Sequence, residues 1–249
     1  MSSAAQSSEN ALNGPVWVVV PTYNEAANVP ELAEELFGLG NRDLWLCIVD
    51  DGSPDGTADV ARGLSSRYED RIDVIEREGK QGLGTAYVAG FARALDRGAN
   101  LIVQMDADLS HSPKYVPEML RLLERCDVVV GSRYALGGGA DAEWSSKRRT
   151  LSSFANGAIR AVTGVKVRDV TSGFKTFRAT VLQDIDLNSF RCAGFGFQAE
   201  MAYACQRKGR RIEEFPIVFM ERRRGDSKMS IGIMLEALWR LSLLRLRRN

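Results

Sequence analysis

The fold is decided by the segment Leu101-Ile102-Val103-Gln104-Met105-Asp106-Ala107-Asp108, an apolar run that ends in two carboxylates one residue apart. Runs of this kind are typical of buried strands. Side chains at positions i and i+2 of a strand point to the same side, so Asp106 and Asp108 can converge beyond its end. Two close carboxylates repel one another, and a divalent cation removes that penalty. An isolated Asp-x-Asp is equally typical of a solvated turn, so the rest of the chain has to decide.

Composition and charge predict an ordinary globular protein with one large core. The chain has 249 residues, of which 45% are hydrophobic and 26% charged, with a net charge of +1. The segment from Arg222 onward is basic, but nucleic acid usually demands a broader basic field, so we expect no nucleic-acid partner. No apolar run of about 18 residues occurs, so we expect no transmembrane helix. Residues 1–13 have no apolar core of a signal peptide and are predicted to form a disordered tail.

The four cysteines show neither metal-binding spacing nor a pairing pattern. We therefore predict that they are small buried hydrophobic residues in a protein of a reducing compartment. They are Cys47, Cys126, Cys192 and Cys205.

Strand-like and helical segments alternate along the first half of the chain. This alternation predicts an α/β fold with a mostly parallel sheet and helices on both faces. Right-handed crossovers bring the carboxyl ends of parallel strands to one edge. Residues such as Tyr87 and Phe91 recur at helical spacing and are predicted to face the core. The predicted strands are Val16–Val20, Leu44–Val49, Asp73–Glu76, Leu101–Met105 and Asp127–Val130.

Polar clusters follow four of these strands directly. They are Tyr23-Asn24-Glu25, Asp50-Asp51, Asp106 with Asp108, and Arg133. Such placement is typical of the ligand crevice of an open α/β sheet, and it favours a ligand site over a solvated turn. The glycine-rich segment Gly79–Gly84 has two interpretations: close approach of its backbone to a ligand, or a flexible connection with glycines at positive φ.

The second half changes character. Residues 136–146 have the composition of a mobile functional loop, 170–178 are strand-like, and 212–219 are a predicted final strand. The segment Ile231–Leu246 is broadly apolar with arginines at its end. It is interpreted as a helix at a membrane interface, and the alternative is a core helix with a charged tail.

The polar residues favour recognition of phosphate. A metal on Asp106 and Asp108, together with guanidinium and ammonium groups, is suited to a diphosphate. No Ser-His-Asp arrangement is visible, and the single histidine, His111, is interpreted as structuring its loop in preference to acting as a base. This set of residues fits transfer of a group from a diphosphate to an acceptor that is itself anionic. The predicted cations are Arg133, Arg148, Arg222 and Lys228.

Motifs in a fixed order carry a resemblance to a known family. They are Val20-Pro21-Thr22-Tyr23-Asn24-Glu25, Val49-Asp50-Asp51-Gly52-Ser53-Pro54-Asp55-Gly56-Thr57, Asp106-Ala107-Asp108-Leu109-Ser110-His111 and Gly131-Ser132-Arg133-Tyr134, extended by Lys147-Arg148 with Ser152, Thr171-Ser172-Gly173-Phe174, and Arg222 with Gly225 and Ser227-Lys228. Together they resemble the inverting GT-A glycosyltransferases, most closely the dolichyl or polyprenyl phosphate mannose synthases. The resemblance covers Val16 to Lys228.

The resemblance implies roles for individual residues. A catalytic role is implied for Asp106, Asp108 and Arg133. Binding of the acceptor phosphate is implied for Arg133, Arg148 and Ser152. A Mg²⁺ or Mn²⁺ ion is implied at Asp106, Asp108 and Ser110. Family members often carry Gln where this chain has Ser110, so a water would complete the metal shell here. Nucleotide-sugar binding is implied for Pro21, Tyr23, Glu25, Val49, Asp51, Asp106, Ala107, Asp108, Arg222 and Lys228.

The implied activity is transfer of mannose from GDP-mannose to dolichyl or polyprenyl phosphate with inversion. Alternatives are a UDP-glucose or other nucleotide-sugar enzyme acting on the same acceptor, and a non-catalytic nucleotide-sugar sensor. The expected domain is 14–228, with a nucleotide-sugar half at 14–134 and an acceptor half at 135–228. A basic amphipathic surface helix at 229–249, or a membrane-anchoring partner subunit, would hold the protein peripherally on the cytoplasmic face of a membrane.

Overall fold

The structure is a computed structural model that describes residues 14–141, 146–190, 192, 194–221 and 241, the side chains of 146–148 and 195 excepted. The predicted tail at 1–13 lies outside these residues. So does the predicted surface helix at 229–249, apart from Leu241, which is fully buried. Within the described part of the chain, no helix has the length and apolar character needed to cross a membrane.

The described residues form α-helices and strands in alternation through the first half of the chain. The strands are β1 (Val16–Thr22), β2 (Leu44–Asp50), β3 (Ile72–Glu76), β4 (Leu101–Gln104), β5 (Val128–Ser132), β6 (Gly139–Ala140), β7 (Lys175–Arg178), β8 (Ile212–Pro216) and β9 (Val218–Phe219). The helices are α1 (Val29–Phe37), α2 (Thr57–Leu64), α3 (Leu83–Asp96), α4 (Val116–Leu122), α5 (Ser146–Thr163), α6 (Ala179–Gln183) and α7 (Phe195–Arg207).

Seven strands form one sheet in the order β3-β2-β1-β4-β7-β5-β8. Strand β1 pairs in parallel with β2 and with β4, and its register places Pro21 beside Val49 and Val19 beside Gln104. Strands β5 and β8 are also parallel. The predicted α/β fold with a mostly parallel sheet is therefore confirmed, and the carboxyl ends of these strands share one edge.

Strand β7 departs from the alternation. The strand-like segment 170–178 contributes only Lys175–Arg178, and this strand runs antiparallel between β4 and β5. Its amino end therefore lies at the edge where β4 and β5 finish. The turn Thr171–Phe174 is inserted there, between Asp106 and Arg133. The predicted final strand 212–219 is likewise two strands, because the chain leaves β8 at the buried Ile217 and pairs as β9 with β6 in a small second sheet.

Two apolar layers cover the large sheet. One contains Tyr87, Phe91, Phe177 and Phe197, and the other is built on aliphatic side chains of α1, α4 and the sheet. Burial of each large side chain contributes about 1.5–3 kcal/mol to folding. All four cysteines are buried and free, as predicted. Helix α3 lies so close to β1 that a Cβ on Gly90 would come within 2.2 Å of a methyl carbon of Val19.

Candidate active site

The predicted polar clusters meet at one edge of the sheet. Tyr23 follows β1, Asp51 follows β2, Asp106 follows β4 and Arg133 follows β5. In the order of the sheet, Asp51 and Tyr23 lie on one side of Asp106, and the turn before β7 separates Asp106 from Arg133. The structure therefore brings these four residues to one edge of the sheet, where the strand-end pattern placed them.

Asp51 is buried and held by a residue that the sequence analysis missed. Its carboxylate accepts hydrogen bonds from Arg77 Nε at 2.6 Å and from the backbone N–H of Gln81 at 3.2 Å. Arg77 also donates to Thr85 Oγ1 and to the carbonyl of Gly82. The sequence did contain a signal for Arg77 as a site residue. Arg77 directly follows β3, just as the recognised polar clusters directly follow their strands.

The glycine segment 79–84 contains glycines at positive φ, as one of its two interpretations predicted. Gly79 and Gly82 have positive φ values of 72° and 101°. The backbone of this segment also packs tightly, since a Cβ on Gly52 would come within 2.8 Å of the amide nitrogen of Gly79. A side chain at either of the positive-φ positions would be strained. The segment thus lies against the loop that carries Asp51.

The other residues implied in nucleotide-sugar binding lie nearby with varied exposure. Lys80 Nζ stands 4.5 Å from the centre of the Tyr23 ring, a cation–π distance. Glu25 Oε2 accepts a hydrogen bond from Asn28 Nδ2 at 2.6 Å. Pro21 is partly exposed at the end of β1, whereas Val49 is fully buried in the core beside it.

The two carboxylates after β4 differ in their surroundings. Asp106 keeps 30% of its side chain exposed, and its Oδ1 accepts a hydrogen bond from the Tyr87 hydroxyl at 3.0 Å. Asp108 is buried, and its Oδ1 accepts from both the backbone N–H and the hydroxyl of Ser110, at 3.0 and 2.6 Å. Ala107, between them, is also buried.

Tyr87 was interpreted as a core residue, and its ring is indeed in the core. Its hydroxyl, however, reaches the site. Burial raises the pKa of Tyr87 well above its ordinary value, and the adjacent Asp106 raises it further. The hydroxyl therefore keeps its proton and donates a hydrogen bond to Asp106. The helical spacing of apolar residues could not predict the contact between Tyr87 and Asp106, because a phenylalanine at position 87 would give the same spacing.

His111 lies close to Asp106. It is 4% exposed, and its Nδ1 is 3.8 Å from Asp106 Oδ2. That nitrogen has no hydrogen-bond partner among the residues that the structure describes. The ring contacts Phe174 and Phe219. Burial lowers the pKa of His111, and it outweighs the opposing effect of Asp106 and Asp108, so the imidazole is neutral at pH 7.

The residues present fit a divalent cation that is shared with a substrate. In the described ranges, no group of three or more His, Cys, Asp or Glu side chains is arranged to hold a metal. Asp106 and Asp108 nevertheless supply hard oxygen ligands, and Mg²⁺-type sites commonly combine one or two carboxylates with water and substrate phosphate. The Ser110 hydroxyl hydrogen-bonds Asp108, so it orients that carboxylate.

Arg133 is paired with a residue that the motifs did not indicate. The sequence analysis treated Arg133 as a cation facing the crevice. The structure gives it a fully buried partner, Asp169, which accepts from Nε at 2.8 Å, from Nη2 at 2.7 Å and from the backbone N–H at 2.9 Å. Burial lowers the pKa of Arg133, but Asp169 more than offsets this, so the net change is upward. Asp169 compensates part of the charge and fixes the orientation of the guanidinium.

The remaining residues implied at the acceptor phosphate are described only in part. Ser152 is buried on α5, and its Oγ accepts a hydrogen bond from the Tyr134 hydroxyl at 3.0 Å. Arg148 lies in the first turn of α5, but its side chain is outside the described part of the structure. Arg222 and Lys228 also lie outside the described residues.

A buried polar layer supports the turn before β7. Lys175 is 1% exposed, and its Nζ donates to the carbonyl of Ser172 and, at 2.7 Å, to Gln198 Oε1. Gln104 Nε2 donates to the same Gln198 oxygen and to the carbonyl of Gly173. Burial lowers the pKa of Lys175 to about 7. The layer holds Gly173 so near the site that a Cβ there would lie 3.1 Å from Asp106 Oδ2.

The mostly parallel sheet with polar clusters at its carboxyl edge fits the class that the motifs predicted, a GT-A-type glycosyltransferase. Residues 17–186 match the model of Glycosyl transferase family 2, and the chain belongs to that family. The predicted enzyme class is thereby confirmed.

Two curated relatives extend this match over most of the chain. The chain is 39% identical to an undecaprenyl-phosphate mannosyltransferase of Micrococcus luteus, over 90% of both chains. It is 38% identical to a polyprenol monophosphomannose synthase of Mycolicibacterium smegmatis, over 90% of this chain and 84% of the relative. Among solved structures, a Mycobacterium tuberculosis glucosyl-3-phosphoglycerate synthase in complex with Mn²⁺, UDP and phosphoglyceric acid has the same fold, with a TM-score of 0.70 at 18% identity over 98% of this chain and 83% of that one.

Proposed function

We propose that this protein transfers mannose from GDP-mannose to a polyprenyl phosphate such as dolichyl phosphate, with inversion at the anomeric carbon. The observation that carries the proposal is the arrangement of one crevice with two sides, Asp106 and Asp108 on one and Arg133 on the other, separated by the turn 171–174. The names of the two curated relatives support the choice of sugar and lipid.

The donor side is built from the residues after β1, β2 and β4. Asp51, fixed by Arg77, and Tyr23 are suited to the nucleoside, and Arg222 and Lys228 to its phosphates. Asp106 and Asp108 would hold Mg²⁺ or Mn²⁺, which when bound neutralises charge on the departing diphosphate. The Mn²⁺ in the similarly folded synthase supports a divalent ion, and the oxygen ligands suit either metal.

The acceptor side is built around Arg133. A guanidinium held by Asp169 keeps its orientation without rearrangement when a phosphate arrives, so it can position the attacking phosphate oxygen. Arg148 and Ser152, on α5, supply further donors to the phosphate. Both substrates then lie in line across Gly173, where no side chain intrudes.

The reaction proceeds by in-line displacement. An acceptor phosphate oxygen forms a bond to the anomeric carbon while the bond from that carbon to the diphosphate oxygen breaks, and the electron pair leaves with GDP. The attacking oxygen is already anionic at neutral pH, so no general base is needed.

We also propose that the protein acts peripherally at the cytoplasmic face of a membrane, where the lipid acceptor resides, held by residues 229–249 or by an anchoring partner subunit. Support comes from large apolar side chains exposed in the acceptor half, of which Leu136 is 95% and Phe154 is 70% exposed. Exposed rings and aliphatic side chains can enter the interface of a membrane.

The test is transfer of labelled sugar to a short polyprenyl phosphate, with GDP-mannose and UDP-glucose run in parallel in the presence of Mg²⁺ or Mn²⁺. We expect labelled lipid from GDP-mannose and little from UDP-glucose. Product from UDP-glucose alone would replace mannose by glucose in the proposal. Binding of GDP-mannose without product from either donor would support a sensor instead of an enzyme.

A further inference from the structure

Tyr87 has a hydroxyl that its place in the core does not require. Its ring is fully buried and packs against Phe91 and Phe197, with ring centres 5.8 and 5.7 Å away. Phenylalanine would fill this space equally well. The additional oxygen donates to Asp106 Oδ1 at 3.0 Å and also hydrogen-bonds the side chain of Gln104.

The Asp106 carboxylate depends on this contact for its orientation. It lies beyond the end of β4, partly exposed, so the strand backbone alone leaves its terminal torsion broad. On the Oδ2 side, Gly173 leaves room for the carboxylate, and His111 Nδ1 at 3.8 Å is beyond hydrogen-bond distance. Of the residues that the structure describes, Tyr87 is the hydrogen-bond donor to this carboxylate.

The helix that carries Tyr87 is itself rigidly placed. Gly90 packs directly on Val19 of β1, which prevents α3 from shifting towards or along the sheet. At its start, Arg77 donates to Gly82 and Thr85, and the N–H of Gln81 donates to Asp51. One helix and its preceding loop therefore contact both the nucleoside residue Asp51 and the diphosphate residue Asp106.

We propose that Tyr87 is a positioning residue that fixes the Asp106 carboxylate for a divalent cation and the donor diphosphate. This inference rests on the proposed function, because it assigns Asp106 to the metal. Hydrogen-bond partners that orient a metal ligand are generally worth about 10–100-fold in metal affinity. Tyr87 therefore acts through Asp106 and touches neither substrate.

The variant Tyr87→Phe removes one oxygen and keeps the packing. The matched control is Tyr68→Phe, because the Tyr68 hydroxyl is also buried but has no hydrogen-bond partner within the described ranges and lies at the end of the 3₁₀ helix that follows α2. Mn²⁺ affinity of the full chain is measured by electron paramagnetic resonance of free Mn²⁺, with and without GDP. Thermal unfolding of both variants reports whether each remains folded.

We expect Tyr87→Phe to bind Mn²⁺ about tenfold more weakly, with the Mn²⁺ concentration needed for half-maximal activity raised by a similar factor. We expect kcat at saturating Mn²⁺ to stay within about twofold, since excess metal restores occupancy. Tyr68→Phe should match the wild type in both measurements. Equal Mn²⁺ affinity of Tyr87→Phe and wild type, or equal weakening in Tyr68→Phe, would overturn the inference alone. Absence of Mn²⁺ binding in the wild type would overturn it together with the metal assignment of the proposed function.

Discussion

Arg133 and Asp169 form a bidentate ion pair at the carboxyl end of β5, with Nε–Oδ2 and Nη2–Oδ1 distances of 2.8 and 2.7 Å. The Asp169 side chain is fully buried, and that of Arg133 is 11% exposed. Planar, bidentate geometry of this kind fixes a guanidinium in a way that lysine cannot reproduce. The pair therefore connects the stability of the fold with the orientation of a residue proposed to bind phosphate.

Breaking this pair should impair both folding and acceptor binding. Asp169→Ala leaves a buried guanidinium without its partner, and we expect the free energy of unfolding to fall by about 3–5 kcal/mol. Urea unfolding measures this loss, and KM for the polyprenyl phosphate should rise in the protein that remains folded. The control is Glu118→Ala, which removes an exposed ion pair with Arg121 and should leave both quantities unchanged. A stable Asp169→Ala enzyme with unchanged KM would contradict the role of Asp169.

Removing the buried carboxylate after β4 should impair catalysis much more than folding. For Asp108→Ala we expect kcat/KM to fall by at least about a hundredfold, about 2.7 kcal/mol of transition-state stabilisation. Initial rates with saturating Mn²⁺ test this expectation. Asp59→Ala, at an 85% exposed aspartate on α2, should behave as the wild type. Near-normal turnover of Asp108→Ala at saturating Mn²⁺ would show that the metal assignment is wrong.

Lys175 should make stability depend on pH above neutrality. Its pKa in the folded protein is about 7, below the ordinary lysine value of 10.5, because burial disfavours the charge. Between these two values the unfolded chain binds more protons than the folded one, so the free energy of unfolding rises with pH, by on the order of 1 kcal/mol per pH unit. Below pH 7 Lys175 is protonated in both the folded and the unfolded state. The free energy of unfolding is then lowered by the full cost of burying its charge.

Urea unfolding at pH 7, 8.5 and 10 measures this contribution. In Lys175→Met the rise with pH should be smaller than in the wild type, because the group that releases the proton is absent. Lys166→Met, at an exposed lysine after α5, is the control and should keep the wild-type dependence. If the free energy of unfolding changed equally with pH in Lys175→Met and in the wild type, Lys175 would not titrate between pH 7 and pH 10 in the folded protein.

Membrane association should depend on two separate parts of the chain. Flotation with liposomes that contain anionic lipid is compared for the full chain, for a chain lacking residues 231–249, and for Phe154→Ser. We expect the truncation to reduce flotation strongly, because it removes many apolar residues together with arginines. Phe154→Ser should reduce it partially, because one exposed ring is lost. Equal flotation of the full and truncated chains would exclude the closing segment as the anchor.

Most of the fold was predictable, and there were two exceptions. The alternation of segments predicted the sheet and its ligand edge, because strands joined by right-handed crossovers are parallel. It did not predict that β7 is inserted antiparallel between β4 and β5, because a short strand has the same side-chain pattern in either direction. The split of the last strand at Ile217 was missed as well, although Pro216 at the end of β8 was a visible signal for a break.

The sequence by itself placed the polar clusters at one edge of the sheet, because each cluster directly follows a strand and the strands share that edge. The tertiary structure decided how those residues are held. Arg77 fixes Asp51, Tyr87 fixes Asp106 and Asp169 fixes Arg133, through contacts that join residues 26, 19 and 36 positions apart. Such pairs leave no local pattern in a single sequence. They depend on the packing of α3 on the sheet and on the insertion of β7, and these are properties of the whole fold.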